Sequence, residues 1–249
     1  MSEQITFTVL GSGGWYPSVA RETCSALLRQ GDRAILIDAG TGVSNLARWD
    51  HLLDGVKSWT LLLTHFHLDH VTGIEWVKDF PVPLPAIQAP GGWLLGRRSE
   101  EILEDLTTFL PTGIRAADLG AGIDELGPGL NRIEGFDLLL RAQPRHSDPT
   151  VALRLGYQLA YCTDTAFDPE NIEFVRGVSF LFHEGGTETD GHSAHSSGRE
   201  VAEIARRGSV GRAYMIHHAP GSQESRILSD ARAGFPETYW GWDGLTLEI

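Results

Sequence analysis

The chain has 249 residues, 41% of them hydrophobic, with 20 Lys and Arg against 33 Asp and Glu and a formal net charge of −13. That length and apolar content suffice for a large buried core in one domain over 1–249, while the acidic balance and the lack of any Lys/Arg-rich run argue against nucleic acid as a partner. Cys24 and Cys162 are too few for a disulfide framework, no apolar run approaches a membrane span, and the start Met1-Ser2-Glu3-Gln4 lacks a secretory pattern, so the expectation is a cytoplasmic protein with no membrane association.

In chain order, 5–10, 25–30 and 33–38 read as strands and 43–49 as a short helix. Residues 59–63 form a buried strand and 71–80 a helix, with a short strand at 86–89. The longest helical pattern covers 93–110, where Leu94, Leu95, Ile102, Leu103, Leu106 and Leu110 recur at roughly helical intervals. Residues 111–135, rich in Gly and Asp, read as irregular. Strands follow at 136–141, 151–155 and 158–162, the last two joined as a hairpin at Gly156-Tyr157. The second half alternates again: helix 169–175, strand 179–183, helix 197–207, strand 212–216, helix 223–233 and a closing strand 245–249. This order predicts an α/β fold.

The chemistry concentrates directly after the apolar strand at 59–63, in Thr64-His65-Phe66-His67-Leu68-Asp69-His70. Imidazole nitrogen and carboxylate oxygen suit a borderline divalent ion such as zinc. Residues two apart in an extended segment face the same side, so His65 and His67 can converge on one ion. Asp69 and His70 fall where a helix starts and turn toward a second position. A core histidine explains one such residue, but poorly explains three beside an aspartate.

This run resembles the His-x-His-x-Asp-His signature of the metallo-β-lactamase-fold hydrolases. Three later motifs point toward the ribonuclease Z and phosphodiesterase branch: Pro144-Arg145-His146-Ser147, Tyr161-Cys162-Thr163-Asp164-Thr165 and Met215-Ile216-His217-His218-Ala219-Pro220. The resemblance extends from Leu10-Gly11-Ser12-Gly13-Gly14 to about Pro220. It implies a four-layer αββα sandwich with ligands on loops along one edge. It also implies two divalent ions, zinc first with manganese as an alternative. His65, His67 and His146 would hold one, Asp69, His70 and His217 the other, and Asp164 would bridge them. Two such ions lower the pKa of a shared water and neutralise phosphoryl oxygens, so a metal-bridging hydroxide would attack in line.

Other motifs divide between two readings. Gly11-Ser12-Gly13-Gly14 fails both nucleotide fingerprints and reads as a tight turn beneath the site. Asp38 in Asp38-Ala39-Gly40-Thr41-Gly42 is either a hydrogen-bonding support of the metal loop or an ordinary turn residue. Trp15 and Trp93 are the tryptophans expected near the cleft. In the segments Phe182-His183-Glu184-Gly185-Gly186-Thr187 and Gly191-His192-Ser193-Ala194-His195-Ser196, the resemblance implies that His192 is the transition-state histidine and Glu184 its polarising carboxylate. The alternative is a solvated loop capping the helix at 197. His51, His195 and His218 read as surface or supporting residues. Catalytic roles thus fall to Asp69, His192 and Glu184.

His146 and Asp164 are only 18 positions apart, which leaves no room there for the long tRNA-binding arm typical of ribonuclease Z. A small cyclic or linear phosphodiester is therefore the expected substrate. A lactonase or other carboxylic-ester hydrolase is the runner-up. A tRNA 3′-processing endonuclease, an iron-dependent oxidoreductase and a non-catalytic binding protein rank behind. Dimers are common in the family, which keeps a homodimer open.

Overall fold

The computed structural model describes residues 4–80, 82, 86–109, 119 and 122–249. Two seven-stranded sheets carry it. The first is built from β1 (Ile5–Gly11), β2 (Ser25–Gln30), β3 (Arg33–Ile37), β4 (Ser58–Leu62), β5 (Ala86–Ala89), β6 (Gly122–Glu125) and the closing β14 (Thr246–Glu248), in the order β14-β1-β2-β3-β4-β5-β6. The second comprises β7 (Gly129–Ile133), β8 (Phe136–Gln143), β9 (Thr150–Leu155), β10 (Leu159–Cys162), β11 (Phe180–Glu184), β12 (Arg212–Ile216) and β13 (Thr238–Trp240), ordered β13-β12-β11-β10-β9-β8-β7. Each sheet is antiparallel on one side and parallel on the other. The parallel strands are β3 to β6 in the first and β10 to β13 in the second.

Side-chain alternation explains the layering. Along β1, Phe7 and Val9 point to one face, where they meet Leu153, Tyr161, Phe182 and Ile216 of the second sheet. The Phe7 and Phe182 rings lie 4.5 Å apart between centroids, and burying such a ring contributes about 1.5–3 kcal/mol. The opposite face of the first sheet buries Leu27, Leu36, Leu61 and Leu63 under α1 (Asn45–Arg48), a 3₁₀ turn at Ile74–Asp79 and α3 (Ser99–Phe109). The outer face of the second packs Ala160, Leu181, Ala213 and Met215 against α5 (Gly198–Arg207) and α6 (Glu224–Gly234). The result is a helix–sheet–sheet–helix sandwich, as the resemblance implied.

Local departures have local causes. The expected helix over 93–110 is split: a π-turn at Gly91–Leu95 ends at Gly96, whose φ is 65°, and α3 begins only at Ser99. The Glu125 carboxylate holds that start, accepting from the Ser99 hydroxyl at 2.9 Å and the Gly92 amide at 2.8 Å. Leu110 and residues 111–118 lie outside the described residues. Part of the stretch read as irregular, 111–135, instead forms β6 and β7. Glu134 and Gly135 both take positive φ, 48° and 80°, so β7 and β8 are joined by the two-residue turn that matches strand twist. The helix expected at 71–80 is a short α2 (Leu68–Val71) followed, past Gly73, by the 3₁₀ turn. Strand β13 was not anticipated. No helix among the described residues is long and apolar enough to cross a membrane.

Candidate metal centre

The carboxyl ends of the parallel strands meet along one edge of the sandwich, the usual location of sites in sheets of this kind. Asp38 follows β3, His65 follows β4, Asp164 follows β10, Glu184 ends β11 and His217 follows β12. Asp38, Asp164 and His217 each have positive φ, at 58°, 42° and 56°. A left-handed backbone at such residues costs on the order of 1–3 kcal/mol and persists only where the surroundings enforce it. Three strands break in this way where three site residues are required. Gly14 belongs to the same construction, since a Cβ there would overlap the His217 ring.

Among the described residues, three groups of potential ligands result, with ligand atoms in each lying within 4.8 Å of one another; two hold the expected set, His65, His67, His146 and Asp164, and Asp69, His70, Asp164 and His217, and the third is Glu184, His195 and His217. All seven residues singled out from the sequence are therefore brought together. Asp164 alone belongs to both of the first two groups. Its Oδ1 lies 3.2 Å from His70 Nε2, and its Oδ2 lies 3.2 Å from His217 Nε2 and 3.7 Å from His65 Nε2. Among the described residues, the buried side-chain nitrogens without a hydrogen-bond partner are His65 Nε2, His70 Nε2 and His217 Nδ1. An orphaned buried nitrogen is costly, and here two of the three point into the ligand groups. The donor set thus fits divalent cations.

Hydrogen bonds fix which nitrogen each ring offers. Asp38, fully buried, accepts from the Thr64 amide at 2.7 Å, the Thr64 hydroxyl at 2.8 Å and His70 Nδ1 at 2.8 Å. With its proton given to Asp38, the Thr64 hydroxyl can only accept from His65 Nδ1, 3.0 Å away. One carboxylate therefore places both Nδ1–H groups on the far side and turns both Nε2 atoms toward the ligand groups. His146 likewise donates Nδ1–H to the Ala194 carbonyl at 2.8 Å, and its Nε2 lies 3.1 Å from His67 Nδ1. Asp38 is a support of the metal loop.

A cavity of about 250 Å³ opens over these groups, lined by Trp15, His67, Asp69, His146, Ser147, Asp164, His195 and His217. His195 enters it with Nδ1 against Glu184 Oε2 at 3.1 Å, and its ring is 4.9 Å from His146 and 5.4 Å from His217. Glu184 is fully buried and also accepts the Thr165 amide. The Glu184 carboxylate thus stands beside the site as expected, but the histidine it holds is His195. His192 is placed outside this cavity: its side chain is exposed, and its Nδ1 accepts the amides of Ala194 and His195 at 3.2 and 3.1 Å, which turns the ring away. Trp15 lines the cavity, 4.5 Å from His195 between ring centroids, whereas Trp93 packs against the inter-sheet core.

The family described as a beta-lactamase superfamily domain matches residues 33–218. A protein named Ribonuclease Z from Thermoplasma acidophilum is 35% identical, with the alignment covering all of this chain and 98% of that one. The chain is a metallo-β-lactamase-fold hydrolase, of the ribonuclease Z-like branch. Solved structures share the hydrolase's fold at lower identity. The metallo-β-lactamase fold protein YhfI from Bacillus subtilis superposes with a TM-score of 0.81 at 18% identity, over 99% of this chain and all of that one. A diphosphatase of the PhnP family gives 0.76 at 20%, over 100% and 98%.

Electrostatics in the hydrolase follow from burial working against charge. Burial alone would lower the pKa of His70, but Asp164, Asp38 and Asp69 outweigh it and raise it well above the usual imidazole value. His217 is likewise raised, by Asp164 and Asp69 against burial. His65 is held well below its ordinary value by burial and by the neighbouring His70. Burial lowers His195 to about 4, with His217 adding to the effect, and pushes Glu184 well up. Ligation by His70 and His217 requires their protons to leave, so a cation must compete with hydrogen ions for this site. The capping box Ser197-Gly198-Arg199-Glu200 fixes the start of α5 but does not distinguish His195 from His192, which only the tertiary contacts separate.

Proposed function

We propose that this metal-dependent hydrolase is a phosphodiesterase that works with two divalent ions, zinc suiting the His/Asp donor set best and manganese being the alternative. The observation that carries the reading is the Asp164 carboxylate, shared by two ligand groups into which His65 Nε2 and His70 Nε2 project without a hydrogen-bond partner. His65, His67 and His146 would hold one ion and Asp69, His70 and His217 the other. Bound there, divalent ions supply charge for phosphoryl oxygens and lower the pKa of water.

The chain's own residues supply the rest. His195, gripped through Nδ1 by Glu184, offers Nε2 at the cavity wall, where it holds a proton for the departing oxygen. Glu184 fixes the orientation of the ring through Nδ1 and so aims Nε2 into the cavity. Asp69 is fixed by the Trp15 amide at 2.6 Å and keeps His217 oriented at 3.1 Å. Trp15 closes one wall and limits access of bulk water. Relatives named Ribonuclease Z and a PhnP-family diphosphatase support attack at phosphorus over attack at a carbonyl. A small phosphodiester fits the chain's −13 charge and lack of a basic run. An RNA 3′ end is the second reading, favoured by the full-length match to a protein named Ribonuclease Z. The two buried free thiols, Cys24 and Cys162, accord with a cytoplasmic setting.

The test is a hydrolysis panel on zinc- and manganese-loaded protein: bis(p-nitrophenyl) phosphate, cyclic nucleotides, a 3′-extended RNA, lactones and β-lactams, with metal content measured in parallel. Diester cleavage with two ions per chain is expected. Brisk lactone cleavage without diester cleavage would overturn the assignment. Cleavage of RNA but not of small nucleotide diesters would select the second reading.

A further inference from the structure

Beside the catalytic cavity lies a second one, of about 330 Å³, lined by Arg145, Ala166, Phe167, Gly191, His192, Ser193 and Glu200. It is the next station along a row of imidazoles: His195 sits 4.9 Å from the ligand His146, and His192 sits 5.4 Å beyond His195. Arg145, immediately before His146 in the chain, brings a permanent cation to its wall. The Arg145 backbone is pinned by the Ala166 amide donating to its carbonyl at 2.7 Å, while the side chain is 56% exposed. Its nearest carboxylate, Asp168, stands at 4.0 Å and is already committed to Arg141 and to the Glu170 amide.

His192 contributes a donor. Because its Nδ1 accepts two backbone amides, the ring proton resides on Nε2. The acid in this wall, Glu200, is spent: one oxygen accepts the Gly191 amide at 2.9 Å and the other the Ser197 amide at 2.8 Å. Phe167 adds a half-buried apolar floor. A cation with five donors and an imidazole N–H, beside an acid whose two oxygens are each turned to a backbone amide, together form a receptor for an anion.

We infer that Arg145 and His192 form a subsite for a second phosphate of the substrate, several bonds removed from the scissile one. The interposed His195 ring sets that separation, which excludes the directly adjoining phosphate of a diphosphate. Substrate is thus selected for carrying two separated phosphates, one over the Asp164 centre and one on this shelf. The assignment rests on the neighbouring cavity receiving a phosphoryl group, as proposed above.

Calorimetric titration of the zinc-loaded protein with adenosine 3′,5′-bisphosphate and with adenosine 5′-monophosphate tests this without requiring turnover. The wild type is expected to prefer the bisphosphate by about 10-fold, the scale of one charge-assisted contact at a half-exposed site. Arg145→Ala should reduce that preference to about 2-fold or less, Arg145→Lys should keep part of it, and His192→Ala should lower it by roughly 3-fold. An unchanged unfolding midpoint in each variant shows that the fold is intact. Equal affinities for the two probes in the wild type, or an undiminished preference in Arg145→Ala, would overturn the subsite. Absence of diester hydrolysis in the panel above would overturn the phosphodiesterase reading and leave this affinity ratio to decide the shelf independently.

Discussion

Asp38→Asn is the most discriminating single change, because it keeps the shape of the side chain and removes only its power to accept on both oxygens. Three donors converge on this buried carboxylate within 2.8 Å: the Thr64 amide, the Thr64 hydroxyl and His70 Nδ1. Asparagine tolerates the left-handed backbone found here, so strain is not the issue. Its oxygen can serve the Thr64 amide, which leaves the amide nitrogen facing the Thr64 hydroxyl and His70. His70 Nδ1 must then accept, and its proton moves to Nε2, the atom that should ligate. Loss of such a supporting partner typically costs 10–100-fold in metal affinity, equivalent to about 1.4–2.8 kcal/mol. Asp38→Ala is harsher. It orphans three buried donors at about 1–3 kcal/mol each and should depress the unfolding midpoint even with chelator present. Competition against a chromogenic zinc chelator reads the affinity, and calorimetry of chelated protein reads the stability. Asp38→Asn that binds both ions as tightly as the wild type would refute the tautomer argument.

Three further outcomes follow from the geometry. His195→Ala should retain both ions and lose roughly 10²–10⁴-fold in kcat on a diester with a poor leaving group, while His192→Ala loses less than about 10-fold; the reverse order in steady-state assays would return the proton-donor role to His192. In chelated protein, His70 and His217 have folded-state pKa values raised above the unfolded value of about 6.5. Their contribution is therefore complete below that pH and is lost as pH rises through the folded values, so the metal-free midpoint should fall as pH rises above about 6.5 while the stabilisation gained on adding zinc grows; a flat metal-free profile would contradict it. Ser197→Ala removes the cap of α5, whose hydroxyl accepts the Glu200 amide at 3.2 Å, and should cost about 1 kcal/mol, or roughly 2–4 °C in Tm, with ion content unchanged by elemental analysis.

Much of this could be read from the sequence, for reasons that differ by region. Strands β2, β5 and β12 fall at the positions predicted, because short apolar runs there are bounded by strong turn residues. The metal ligands were legible because several rare donors share a short loop and the remaining ones close strands. The β7–β8 hairpin was missed although Ile133-Glu134-Gly135-Phe136 carries a turn signal; β6 and β7 are edge-side strands with mostly exposed or half-exposed side chains, so they lack an apolar run. The sequence could not rank His192 against His195 for another reason. Both lie in one polar loop, and only tertiary contact with Glu184 and Trp15 distinguishes the ring that faces the cavity from the ring that faces solvent.

The origin of the ligands has a mechanical consequence. His65, His67, Asp69 and His70 belong to the first sheet's connections, whereas His146, Asp164 and His217 belong to the second, so each ion would be gripped from both halves of the sandwich. Asp69 and His217 are 148 positions apart in the chain, and a clasp between such distant points removes much of the freedom of the unfolded chain. Loading with metal would then behave like a reversible cross-link that draws the two sheets shut along one edge. Chelation should leave each sheet's ladder intact yet let that edge breathe, visible as faster amide exchange at the carboxyl ends of β3, β4, β10 and β12 than at their starts.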